Sequence, residues 1–224
     1  MDAKAIKLID MVMQYEGGYA DKKIDGHETY RGITRTYHPD WEGWKIIDSK
    51  KPLKYNQIIK DATLENYVRQ IYYKNYYAPM KIGEINDLLA AGQTFALGVN
   101  AGLKNGVKAL QKAINKVYGV KISVDGVVGN ETLTYANGAK SVEVGKETIN
   151  QCNAYYNNLV AKKPSMKKFL NGWLNRVKGV TKTCSTPVSK NVLLTIGGNN
   201  NESWFMKLFN FIKEIYDWFK TIKK

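Results

Sequence analysis

The sequence predicts a mainly α fold with one short β-hairpin and an amphipathic helix at the C-terminal end, on three observations. Apolar residues recur at steps of three and four through most of the chain from residue 3 to residue 177. Strand-forming residues gather in one place, around Tyr30, Ile33 and Thr34, inside a stretch rich in Gly, Asp, Lys and Pro. In residues 204–222, Phe205, Leu208, Ile212, Ile215, Phe219 and Ile222 again follow alternating steps of three and four.

Taken in order, Ile6, Ile9, Val12 and Met13 define a first helix over 3–15, ended by Gly17-Gly18. Residues 19–52 read as a loop carrying the hairpin. Ile58, Ile59, Ala62, Tyr67, Ile71 and Tyr72 place a second helix in 56–78, before Pro79. Further helices are expected over 84–101 and 104–118. A turn at Val124-Asp125-Gly126 then precedes another helix capped near Asn130. Residues 141–162 and 165–177 complete the helical part. From 181 to 203 Thr, Ser, Pro187, Gly197-Gly198 and three consecutive Asn read as a linker. In the tail beyond it, Trp204, Phe211 and Trp218 widen the apolar face, while Lys207, Lys213, Asp217 and Lys220 lie off it. Charges interrupt this segment too often for a membrane span. Docking on the body or self-association accounts for it, and so does a helix lying in a membrane surface.

At 44% hydrophobic and 24% charged, the 224 residues have the balance of a globular protein able to bury a substantial core. The formal net charge is +14, and residues 141–200 hold nine basic and two acidic side chains, +7 in that stretch alone. Such a field favours polyanionic surroundings: nucleic acid, anionic membrane, or a cell wall carrying carboxylates and phosphates. Fifteen Tyr and five Trp supply flat amphipathic faces that suit sugars and cores alike. Two cysteines, Cys152 and Cys184, are too few for a disulfide scaffold or a zinc site; free thiols are expected, and a pair in an oxidising compartment is the alternative. The N-terminus leads straight into the first helix, with no secretory h-region. A protein acting outside the membrane would then need release by a holin or a dedicated export route.

Glu16 stands where the first helix ends, in Tyr15-Glu16-Gly17-Gly18-Tyr19. There the macrodipole disfavours an ionised carboxylate, and shielding by Tyr15 and Tyr19 would hold its proton further. A carboxyl that keeps its proton near neutral pH is suited to general acid work. The two glycines would let a bulky ligand approach the backbone. An exposed Glu before a glycine cap accounts for the same local pattern. Asp25, nine residues on and followed by Gly26, offers a second carboxylate on a polar turn. Glycoside hydrolysis commonly places two carboxyls across the scissile bond, one protonated and one ionised. An Asx-turn role explains Asp25 as well.

The run Tyr15-Glu16-Gly17-Gly18-Tyr19, continuing in Asp25-Gly26-His27-Glu28-Thr29-Tyr30-Arg31-Gly32-Ile33-Thr34, resembles glycoside hydrolase family 108, the N-acetylmuramidases of phage endolysins and secretion activators. Phe95-Ala96-Leu97-Gly98-Val99-Asn100-Ala101-Gly102 is similar to a second stretch of that family, with Ala96 in place of an Asp. Leu110-Gln111-Lys112-Ala113, Val124 through Leu133, and Phe169 through Val177 with Gly172-Trp173-Leu174-Asn175-Arg176 resemble the peptidoglycan-binding domain that accompanies it. The matches run in order over roughly residues 6–180. The resemblance implies a lysozyme-like helical fold with a small hairpin near the active site. It implies a catalytic region at 1–92 and a peptidoglycan-binding region at 93–180, to which composition and periodicity add the linker at 181–203 and the tail helix at 204–224. It implies cleavage of the β-1,4 bond between N-acetylmuramic acid and N-acetylglucosamine in bacterial peptidoglycan at the cell wall, with Glu16 and Asp25 catalytic and no cofactor. Arg31 stands where related phage lysozymes carry an assisting Thr, for which Thr29 and Thr34 are nearby substitutes. Tyr19, Thr29, Tyr30, Thr34 and Asn100 are the residues expected along the sugar.

Other chemistries fit less well. His27 and His38 are the only histidines and show no zinc spacing, which speaks against a zinc amidase, and no metal is expected. Both precede the cysteines, and Cys152 falls inside a helical pattern, against a cysteine peptidase. The Lys excess includes no clustered Arg segment that would read nucleic acid. Two rivals stand: a wall-binding secretion accessory with an inactive site, suggested by His27, Arg31 and Ala96, and a lytic transglycosylase, which needs one Glu and leaves an anhydro sugar.

Overall fold

The structure is a computed structural model and describes residues 1–22 and 26–185. Asp25, the linker beyond 185 and the amphipathic tail 204–224 lie outside the described residues. The fold is mainly α with a small antiparallel sheet, as the sequence leads one to expect of the lysozyme-like class. The described residues form two compact units, one made of Ile9–Tyr73 and the other of Met1–Leu8 with Lys74 onward. Helix α1 (Ala3–Met13) supplies residues to both. It starts where the Asp2 carboxylate accepts the Ala5 N–H (2.7 Å), an N-cap in the usual sense.

In the unit Ile9–Tyr73, the end of α1 leads to strands β1 (Tyr19–Ala20), β2 (Thr29–Tyr30) and β3 (Ile33–Thr34), in the order β1-β2-β3. Tyr19 pairs with Tyr30, Ala20 with Thr29 and Thr29 with Thr34. Strands this short are marginal alone. Side chains hold them. The Tyr30 hydroxyl is buried against Ile59, accepting from its N–H (3.1 Å) and facing its carbonyl. Helix α2 (Gly43–Ser49) follows, then an extended stretch, then α3 (Ala62–Tyr72). The Asp61 side chain caps α3 by accepting from Leu64 N (2.9 Å). Arg69 on α3 clasps α1 through Asp10, with Nε and Nη2 on the two carboxylate oxygens at 2.6 and 3.1 Å.

The second unit is helical: α4 (Leu88–Ala101), α5 (Leu103–Tyr118), α6 (Asn130–Ala136), α7 (Ser141–Lys162) and α8 (Lys167–Ser185). Helix α4 packs against α5, α7 and α8 and is buried on nearly every side. Small residues make that possible. A Cβ on Gly106 would meet the Thr94 carbonyl at 2.3 Å, so α4 and α5 touch backbone to backbone. The turn at Asp125-Gly126 is pinned by buried Gln111, whose Nε2 donates to Asp125 Oδ1 (2.8 Å) and the Val127 carbonyl (3.0 Å), while its Oε1 accepts from Gly126 N (2.9 Å).

Boundaries differ from the sequence reading where periodicity carries little signal. Helix α2 was not expected, because seven residues span only two turns and Gly43-Trp44-Lys45 lies in a loop-like composition. Asn130 is the first helical residue of α6, with Gly129 in the cap position. Helix α8 continues to Ser185, past the expected start of the linker, because Val180 and Cys184 still face the core.

Candidate active site

The main chain leaves α1 in a tightened turn, Tyr15 N on the Val12 carbonyl and Glu16 N on the Met13 carbonyl, at 3.0 and 3.2 Å. Glu16 is therefore the last residue of the helical path, as its sequence context predicts, and is half-buried. The following residues are held on two sides. Gly18 N donates to Asn56 Oδ1 (2.7 Å), Tyr19 N to the Gln57 carbonyl (2.9 Å), and Asn56 N to the Tyr19 carbonyl (2.7 Å). A Cβ on Gly18 would sit 2.4 Å from the Gln57 carbonyl. The space that this glycine leaves is thus taken by the chain's own backbone, and is not the ligand approach that its sequence suggests.

The other side is the β2–β3 hairpin. Arg31 and Gly32, at φ 50° and 74°, form its two-residue turn, the arrangement whose twist suits adjacent strands. A Cβ on Gly32 would stand 3.2 Å from Glu16 Oε2 and 3.1 Å from the Tyr72 hydroxyl, so the turn's bare Cα faces the carboxylate. The Tyr72 hydroxyl donates to the Arg31 carbonyl (2.8 Å). The Arg31 guanidinium reaches the Met13 and Glu16 carbonyls through Nη1 (3.1 and 3.5 Å) and the Glu65 carboxylate through Nη2 (3.2 Å). The residue standing in the expected Thr position thus closes the C-terminal end of α1, where orphan carbonyls favour a cation.

Next to this turn lies a charged network. Glu28 accepts from the Tyr19 hydroxyl (3.0 Å), Arg35 (2.7 Å) and Lys51 (2.6 Å); Arg35 and Lys51 also bind Asp48 (2.6 and 2.7 Å). Arg35 covers the Trp44 ring at 4.6 Å. Burial pushes the Tyr19 hydroxyl above its ordinary value, and the bond to Glu28 adds to this. The hydrogen bond from Arg35 holds the Asp48 carboxyl below its ordinary range, with Lys51 adding to this against the opposing effect of burial. With three partners, Glu28 ties the start of β2 to Tyr19 of β1 and, through Arg35 and Lys51, to Asp48 of α2.

The structure brings Glu16, Tyr19, Thr29, Tyr30 and Thr34 into one unit, but the sheet residues are not open faces. Thr29 and Tyr30 are 0% exposed, and a ring with no exposed surface cannot stack on a sugar. Their expected contact with substrate gives way to a packing role. Tyr19 and Thr34 are also buried. Asn100 belongs to the helical unit, where its Nδ2 donates to the Tyr156 hydroxyl (2.8 Å) and Tyr156 stacks on Trp173 at 5.1 Å. It is an interior residue, not part of a groove. Sequence reasoning missed Gly32, Tyr72, Asn56 and Glu65. Tyr37, 65% exposed, has its ring centroid 6.4 Å from that of His27 in the same unit. An Arg-Gly pair between strand formers is a hairpin signal, but nothing in it tells where the Arg side chain goes. Among the described residues no group of three or more His, Cys, Asp or Glu is placed to hold a metal ion, and no helix is long and apolar enough to cross a membrane.

A carboxylate at a helix end thus faces the bare turn of a short hairpin within the unit Ile9–Tyr73. Residues 9–102 match the family described as glycosyl hydrolase 108, and residues 105–178 match the one described as a predicted peptidoglycan domain. The two matches follow one another along the chain. Its fold is similar to that of SagA from Brucella abortus, with a TM-score of 0.55 and 22% identity over 80% of this chain and 92% of that one. No curated protein matches the chain.

Proposed function

We propose that the protein is an N-acetylmuramidase that hydrolyses the β-1,4 bond between N-acetylmuramic acid and N-acetylglucosamine in bacterial peptidoglycan, at the cell wall. The observation that carries this reading is the Glu16 carboxylate, set at the end of α1 against the bare turn of Gly32 within the segment that matches the hydrolase family. In the proposed reaction Glu16 gives its proton to the glycosidic oxygen as the bond to C1 breaks. Water then adds at C1, so that one bond and one water molecule are consumed for two new sugar ends. Asp25 is proposed to support the charge at C1 or to orient the water. Tyr37 offers a face for a pyranose ring. The helical unit, matched to a peptidoglycan domain, keeps the enzyme on its insoluble substrate.

Release of soluble glycan from purified peptidoglycan tests the reading. Wild type should release it, and Glu16→Gln should lower the rate by about 100-fold or more, the usual contribution of a general acid. Full activity in Glu16→Gln would refute the assignment. Binding without release by wild type would leave a wall-binding accessory. For residues 204–224 we propose docking on the body or self-association. Salt-sensitive binding of the full chain, and not of a chain lacking 201–224, to anionic vesicles would replace this with a membrane-surface role.

A further inference from the structure

We infer that Arg31 is a positioning residue for Glu16, with Glu65 as its counter-charge and Tyr72 as the anchor of its turn; the inference rests on the reading of Glu16 as the acid. Arg31 is an unexpected residue for its place. The first central position of this hairpin turn needs positive φ, which Asn, Asp and Gly adopt at low cost and a long side chain does not. Arg31 nonetheless holds φ 50°, and its side chain is only 12% exposed. Nothing local to the turn accounts for a guanidinium there. Its partners do.

Burying a guanidinium is unfavourable unless its donors are matched, and here both terminal nitrogens are matched while, among the described residues, Nε is not. Nη2 meets the Glu65 carboxylate on α3 and Nη1 meets the Met13 and Glu16 carbonyls. These contacts bear on the one stretch where the site lacks intrinsic stiffness. Glu16 is followed by Gly17-Gly18, the most permissive pair of residues a chain can carry. Downstream, Gly18 is fixed by Asn56 and Gln57. Upstream, the ladder of α1 has ended. Arg31 adds a restraint at the Glu16 carbonyl (3.5 Å) to the bond from Glu16 N to the Met13 carbonyl, so that the span Glu16-Gly17 is held at both ends. Gly32, the other residue of the same turn, faces the carboxylate. One turn therefore fixes the acid's main chain with one residue and leaves room for its carboxylate with the next. Tyr72, donating to the Arg31 carbonyl, ties that turn to α3. The fork of the guanidinium matters here, because a lysine ammonium cannot reach two carbonyls and a carboxylate in one plane.

A helix cap that served stability alone would look similar in a static structure, and kinetics separates the two. The Asp10–Arg69 pair also joins α1 to α3 in the same unit; Arg69 feels the charge of Glu65, but among the described residues its side chain hydrogen-bonds only Asp10, and it serves as the control. Tm, kcat and KM are measured for the full chain on purified peptidoglycan, for wild type, Arg31→Gln, Arg31→Lys, Glu65→Gln, Arg69→Gln and Glu16→Gln. Arg31→Gln should lower kcat by about 10- to 100-fold with KM changed less than about two-fold, because a displaced acid harms the chemical step more than binding. Arg31→Lys should recover part of that loss, and Glu65→Gln should fall between. Arg69→Gln should lose a similar amount of Tm and keep kcat. If Arg31→Gln lowers kcat no more than Arg69→Gln does, Arg31 is only a cap and the inference is wrong. Should Arg31→Gln not fold, Arg31→Lys and Glu65→Gln carry the same comparison. Full activity in Glu16→Gln marks a different failure, that of the acid assignment itself.

Discussion

Gly32→Ala is the substitution that probes the site most finely. Two costs can be worked out from the structure. The first is conformational: at φ 74° an L-residue is disfavoured by roughly 1–2 kcal/mol relative to glycine. In a chain of this size that corresponds to a fall in Tm of about 2–8 °C. The second is steric and local. The new methyl would lie 3.2 Å from Glu16 Oε2 and 3.1 Å from the Tyr72 hydroxyl, closer than an ordinary contact, so the carboxylate must give by a few tenths of an ångström. Catalysis is sensitive to displacement on this scale, and a loss of about ten-fold or more in kcat is expected. Gly119→Ala isolates the first cost. Gly119 ends α5 at φ 69° with nothing within 4 Å of the added methyl, so it should lose a similar amount of Tm and no activity. Release of soluble glycan and thermal melts of the two variants decide the matter. Equal activity in the two would show that the turn does not face the working carboxylate.

The cysteines give an independent test of the core. Burial pushes the Cys152 thiol up to about 12 and the Cys184 thiol up to about 11, so neither should react with a maleimide or an aromatic disulfide in the folded protein near pH 8, and both should react once it is unfolded. Rapid labelling of Cys152 in the native state would contradict the placement of α7 against α4. Stability should depend on Glu147 in acid. Burial raises its carboxyl, but bonds from Asn150, Lys116 and Gln151 together outweigh this and lower it below the ordinary 4.5. A depressed folded-state value contributes stability above the unfolded value, lost as pH falls through the folded one. The fall in Tm below about pH 4.5 should therefore be shallower in Glu147→Gln than in wild type; parallel curves would remove Glu147 from the account.

The helical unit was the more legible half. Its helices are long, their apolar stripes are regular, and Asp125-Gly126 marks a turn that Gln111 holds. Local rules suffice there because the helices around α4 each bury one stripe against it or one another. The hairpin was legible in kind, through Tyr30, Ile33 and Thr34, but its register depends on Tyr30 meeting Ile59 and on Asn56 meeting Gly18, contacts across 29 and 38 positions of sequence. Glu16 stands out as the candidate acid by its helix-end position together with a family resemblance. The groups that hold it do not. Arg31 and Glu65 are 34 residues apart, and Arg31 and Tyr72 are 41 apart. No period or motif links such pairs; only the folded chain does. The same reason explains why Thr29, Tyr30 and Asn100 were read as sugar contacts: exposure, unlike residue type, is not written locally.

The central claim is that Glu16 is the acid of a hydrolytic muramidase, and the chemistry of the new glycan ends tests it most directly. Purified peptidoglycan is digested with wild type and Glu16→Gln, and the released fragments are weighed by mass spectrometry. The account predicts reducing N-acetylmuramic acid ends carrying the mass of one added water from wild type, and a rate lower by about 100-fold or more from Glu16→Gln. Anhydro ends would contradict hydrolysis, and the same ends at an undiminished rate from Glu16→Gln would contradict the role of Glu16.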